Sequence, residues 1–104
     1  MHEYVDSHHS HLIFLMKDTL IYLLSAIVDH PDALVVDERP TEGGVIYVVT
    51  THPEDMGKVI GKSGRIIRAI RDLMKLMATK KGTYVDVELA EDKQESQKQD
   101  EQYK

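Results

Sequence analysis

Val59-Ile60-Gly61-Lys62-Ser63-Gly64-Arg65-Ile66-Ile67-Arg68 sets a short apolar segment against two glycines that bracket a lysine and a serine. A basic, amphipathic run follows without a break. Glycine has no Cβ, so the backbone at Gly61 and Gly64 can turn tightly and admit another chain at close range. With a helix opening at Arg65, the free N–H groups of its first turn point back into the bend, which suits a phosphate. Lys62 places a mobile cation at the tip, and Ser63 a hydroxyl that donates or accepts. The stretch reads as a helix–GxxG–helix clamp for a nucleic-acid backbone. Two glycines three apart are common in any protein; the flanking helices and the charge give this pair its meaning.

Charge is the first objection, because the 104-residue chain carries a formal net charge of −5. Its distribution answers much of it. Residues 57–82 hold Lys58, Lys62, Arg65, Arg68, Arg71, Lys75, Lys80 and Lys81 against Asp72 alone, whereas residues 1–56 hold ten acids against Lys17 and Arg39. Local potential, rather than net charge, steers a polyanion to a surface. The plain alternative is a solvated helix face, and the glycine bend is what favours a binding surface over it.

Upstream of the clamp, Thr51-His52-Pro53-Glu54-Asp55 is a helix-start signature. Proline suits the first helical position, and acids suit the positive end of the helix dipole. That helix runs from Pro53 to about Ile60 and ends at Gly61. Before it, Leu34–Glu38 and Val45–Thr50 are strands separated by the turn Arg39-Pro40-Thr41-Glu42-Gly43-Gly44. The second is apolar on both faces and is expected in the sheet interior. Leu12 to Val28 is a helix with a core stripe at Ile13, Met16, Leu20, Leu23, Leu24 and Ile27. Phe14, Leu15, Ile21, Tyr22 and Val28 cannot all share that stripe. The surplus marks either a homodimer or heterodimer contact or a face covered by residues 1–11. Asp29-His30-Pro31 stops the helix, since the residue before proline is pushed out of the α region.

Downstream, the helix from Arg65 to about Lys80 divides into an inward side at Ile66, Ile67, Ile70, Leu73, Met74 and Met77 and a polar side at Arg65, Arg68, Asp72, Lys75 and Thr79. Lys80-Lys81-Gly82 closes it. Thr83–Leu89 alternates as a strand with Val85, Val87 and Leu89 inward. Residues 90–104 are acidic and glutamine-rich and are expected to form a disordered tail. Residues 1–11, with His8, His9 and His11, are expected to be a flexible extension rather than a metal site, and residues 12–89 one domain. The chain has no cysteine, which removes disulfides and thiolate metal sites. The N-terminus lacks the basic start of a signal peptide, so a cytoplasmic location is expected. The apolar run carries Lys17 and Asp18 and is read as a soluble helix, not a membrane span.

The order α-β-β-α-α-β, with GxxG between the last two helices, resembles the K-homology (KH) RNA-binding domain in its type II form. More narrowly, it is similar to small single-domain bacterial KH proteins of the KhpA type. The residues that carry the likeness are Asp29-His30-Pro31-Asp32, Pro53-Glu54-Asp55-Met56-Gly57-Lys58-Val59-Ile60-Gly61-Lys62-Ser63-Gly64-Arg65 and Ala69-Ile70-Arg71. It spans about Met16 to Leu89. Residues 1–15 and the acidic tail are additional to the family's pattern, and Met16-Lys17-Asp18 resembles a natural start.

The resemblance implies an α+β fold, a three-stranded mixed sheet with three helices on one face. It also implies single-stranded RNA in a narrow groove beside the loop, with about four nucleotides held. Gly61 and Gly64 would permit close approach, and Lys62 and Ser63 would meet phosphates. Lys58, Arg65, Arg68 and Arg71 are candidates to extend the track, Arg65 foremost and Arg71 the one most apt to be merely solvated. Val59, Ile60 and Ile67 would floor the groove or else be buried in the core. With no tryptophan and a single phenylalanine, an aromatic stacking platform is not expected. The family further implies a second KH-containing RNA-binding partner and a role in RNA regulation linked to envelope growth and division. No cofactor, metal, small-molecule substrate or membrane partner is expected.

Two rival classes compete with this reading. Gly61-Lys62-Ser63 looks like the end of a phosphate-binding P-loop, but that motif needs a glycine where Met56 stands, and a preceding strand rather than a helix. An interaction module acting through the apolar first helix is the other. Acid–base catalysis has no set of side chains with evident mutual geometry.

Overall fold

The computed structural model describes residues 15–90. The expectations for 1–14 and for the tail from 91 onward lie outside the described residues. Helix α1 spans 15–25. Strands β1 (Val35–Pro40) and β2 (Gly44–Thr50) follow, then helices α2 (Met56–Ile60) and α3 (Arg65–Lys80), then strand β3 (Tyr84–Leu89). Short 3-10 turns at Pro31–Ala33, Pro53–Asp55 and Lys62–Gly64 join them. The architecture is the anticipated α+β arrangement, a mixed sheet with its helices on one face.

The sheet order is β1-β2-β3, so β2 lies at the centre as its apolar character on both faces required. β1 and β2 are antiparallel, with Val36 opposite Val49 and Glu38 opposite Tyr47. β2 and β3 are parallel, with Tyr47 opposite Val87 and Val49 opposite Leu89. A parallel pair cannot be closed by a hairpin, and the α2–α3 segment supplies the crossover. Register puts Val36, Val45, Tyr47, Val49, Val85, Val87 and Leu89 on one face. That face meets Met16, Leu20 and Leu24 of α1, Met56 and Val59 of α2, and Ile67, Ile70, Met74 and Ala78 of α3 in one core.

β3 is an edge strand, and its outward groups at Val87 are occupied. Arg71 Nε donates to the Val87 carbonyl at 3.0 Å, and Asp86 Oδ1 accepts from the Val87 N–H at 2.8 Å. Edge strands are commonly blunted by such charged side chains.

Three expectations need correction. β1 begins and ends later than the predicted Leu34–Glu38, reaching Pro40, because an edge strand tolerates a residue without an N–H. The helical geometry of α1 ends at 25, with 26–28 turning back onto it through Ile27 N–H to Leu24 and Val28 N–H to Leu24. Its buried stripe is Met16, Leu20 and Leu24, with Val28 buried just beyond the helix, while Leu23 and Ile27 are half-buried. On α3, Ile66 and Leu73 were expected inward and are instead exposed. Ile67, Ile70, Met74 and Ala78 already fill the sheet face at steps of three and four. Ile66, Ala69, Leu73 and Leu76 form a second stripe alongside, turned to solvent, with Leu76 65% exposed. Among the described residues, no helix is long and apolar enough to cross a membrane.

Candidate nucleic-acid interface

The bend between α2 and α3 is built from residues that ordinary side chains disfavour. Gly61 adopts φ 77°, ψ 170°, a region almost restricted to glycine. Ser63 (φ 58°, ψ 25°) and Gly64 (φ 71°, ψ 19°) are both left-handed. The two glycines are not equivalent. A Cβ at Gly61 would lie 2.6 Å from Ile66 Cγ1, whereas one at Gly64 would meet nothing within 4 Å. Gly61 is thus required by the fold, and Gly64 leaves open space beside the loop. Ile66 closes over Gly61, a role that reading it as core concealed.

Two backbone bonds fix the turn: Gly64 N–H to the Gly61 carbonyl at 3.0 Å, and Arg65 N–H to the Lys62 carbonyl. No side chain caps the first turn of α3. Its remaining N–H groups therefore face an exposed Lys62 and Ser63 with no competing acceptor from a capping residue.

Of the eight cations of residues 57–82, Lys80 and Lys81 lie exposed at the far end of α3, and the other six separate into two groups. Lys58 ion-pairs with Asp29 at 3.3 Å. Arg71 and Lys75 both converge on Asp86, at 3.6 and 3.9 Å. Arg71 is therefore a structural tie to β3, with a third of its side chain still exposed. Lys62, Arg65 and Arg68 are exposed and form no ion pair among the described residues. They follow one another along the loop and the first turn of α3.

The apolar candidates also separate. Val59 is fully buried and Ile67 only 7% exposed, so the core claims both. Ile60 is half-buried at the end of α2 and remains available to a groove.

The base of α2 is anchored by Asp55, a carboxylate 1% exposed. Asp55 Oδ1 accepts from the Asp29 N–H at 3.1 Å, and Oδ2 from the His30 N–H at 2.9 Å. His30 Nδ1 lies 3.1 Å from Oδ2. Burial by itself would raise the Asp55 pKa, but these donors outweigh it and hold the carboxyl below its ordinary value. The node ties the α1–β1 turn to the start of the clamp. Its three residues stand in the Asp-His-Pro and Pro-Glu-Asp motifs, whose separation in sequence hid the contact.

The sequence has recognisable relatives among known proteins. Residues 17–89 match the family model described as "KhpA/KhpB, KH domain". A protein of Caldanaerobacter subterraneus named RNA-binding protein KhpA is 48% identical over 74 residues, 71% of this chain and 99% of the relative. Proteins of the same name from Chlamydia caviae and Oceanobacillus iheyensis are 40% and 39% identical, over 75% and 69% of this chain and 100% and 99% of their own lengths. No solved structure gives a significant match.

Proposed function

Since this chain belongs to the KhpA/KhpB family of KH domains, we propose that it binds single-stranded RNA and grips the sugar–phosphate backbone at Gly61–Gly64. The observation that carries the reading is the run of positive-φ residues at 61, 63 and 64, adjoining exposed cations that no described acid neutralises. In this reading Gly64 admits the strand, Lys62 and Ser63 meet phosphates, and Arg65 and Arg68 continue the track. Ile60 supports the base side, with Ile67 behind it in the core. Lys58 contributes only when it exchanges Asp29 for phosphate. Contacts to backbone dominate, so affinity is modest and falls steeply with salt. The role that fits is a cytoplasmic post-transcriptional regulator or RNA chaperone, with a second KH-containing RNA-binding protein as partner.

The test is a Lys62→Asp, Ser63→Asp double variant titrated against a single-stranded RNA pool at low salt. Aspartate tolerates the left-handed backbone at 63, so the fold should persist. Affinity should fall by roughly two orders of magnitude with helicity and melting unchanged. Unaltered binding by a folded variant would remove the loop from the reading.

A second reading, a protein-contact module, is favoured by the exposed stripe on α3 and by Leu15 and Tyr22 of α1, the latter 75% exposed. It is compatible with RNA at the loop.

A further inference from the structure

At the opposite end of α2 from the GxxG loop, two histidines and a glutamate from separate turns come together. His30 follows α1, His52 precedes the Pro53–Asp55 turn, and Glu54 sits within it. One ligand atom from each lies within 4.8 Å of the other two. The imidazole rings stack with centroids 4.0 Å apart and planes 16° from parallel.

Asp55 settles which nitrogen of His30 is available. A carboxylate only accepts, so the contact at 3.1 Å requires the proton on Nδ1. In the neutral ring, Nε2 then carries the lone pair, and Glu54 Oε1 lies 3.7 Å from it. Two ligands sharing a tetrahedral zinc stand about 3.3 Å apart, so a small closure suffices. A buried carboxylate behind a histidine, setting its tautomer and orientation, is the usual support for a metal-binding imidazole. His52 is less prepared. Its Nδ1 accepts from the Glu54 N–H at 3.1 Å, and near-parallel rings direct their lone pairs side by side. Ligation therefore needs His52, half-exposed, to turn and give up that bond.

We propose that His30, His52 and Glu54 form a binding site for zinc or a similar borderline divalent ion, completed by water. Two imidazoles and one carboxylate are a zinc donor set. The ion clips the α1–β1 turn to the β2–α2 turn and so stabilises the folded chain.

The chain has six histidines, and the four at 2, 8, 9 and 11 would compete in any titration. The experiment uses the full chain with those four changed to Gln, titrated with zinc by calorimetry and followed by melting. One equivalent should bind, with melting raised by about 11–22 °C at a hundredfold excess over Kd. Cobalt should give the absorption of a tetrahedral N/O site. Glu54→Gln, at a side chain 75% exposed, leaves the fold intact and should weaken binding at least tenfold, as should His52→Gln. Absence of zinc binding at millimolar concentration, or binding that neither substitution weakens, would overturn the proposal.

Discussion

At the scale of single residues, the two loop glycines should part company on substitution. Gly61→Ala forces a side chain into a conformation nearly exclusive to glycine and against Ile66, a cost of about 1–3 kcal/mol or more. Gly64→Ala meets no neighbour and pays only the left-handed penalty, about 1 kcal/mol. Melting curves should therefore show a large loss for the first and a small one for the second. RNA affinity should fall in both, because the methyl at 64 enters the space a strand would use. Spacing alone revealed these glycines, since period and punctuation survive in one dimension. It did not reveal Ser63 as left-handed, because nothing in serine's chemistry announces a positive φ. Nor did it reveal Arg71 as bound to β3, which depends on a strand sixteen residues further on.

Among the described elements, periodicity, β-branched runs and start and stop residues together located each α-helix and strand, and boundaries moved by one to a few residues where caps and turns compete. The face of α3 was harder to read. Its apolar residues fill two adjacent stripes, and a helical wheel cannot say which one the sheet takes. The sheet takes Ile67, Ile70, Met74 and Ala78, leaving Ile66, Leu73 and Leu76 exposed. The apolar surplus read from the first helix is thus shared by a second helix. A second copy of this chain is the expected occupant of that stripe, with Leu residues three apart supplying the contact. Sedimentation should show mass rising toward a dimer at micromolar concentration, and Leu76→Glu should restore the monomer with its helicity unchanged and lose only the part of the melting temperature that depends on protein concentration. A wild-type monomer at high concentration would exclude the self-association.

For the molecule as a whole, the central strand governs stability against alkali. Tyr47 lies in the middle of the sheet with no exposed surface, and burial, aided by the Glu38 charge, pushes its pKa up to about 12 from 10.0. The unfolded chain releases that proton near pH 10 while the folded chain keeps it. The contribution is therefore complete below pH 10 and lost as pH rises toward about 12, on the order of 2 kcal/mol. Chemical denaturation across this range should show the fall, and Tyr47→Phe should flatten it. The segregation of charge was legible from the sequence because it lies in contiguous segments. The clustering of His30, His52 and Glu54 was not, because it arises only when two distant turns are folded onto one carboxylate. The Arg71 and Asp86 contacts at Val87 carry a last implication. An extended peptide sliding along that side of the sheet finds its hydrogen-bonding seat at Val87 taken, which obstructs runaway strand-by-strand polymerisation from the β3 edge.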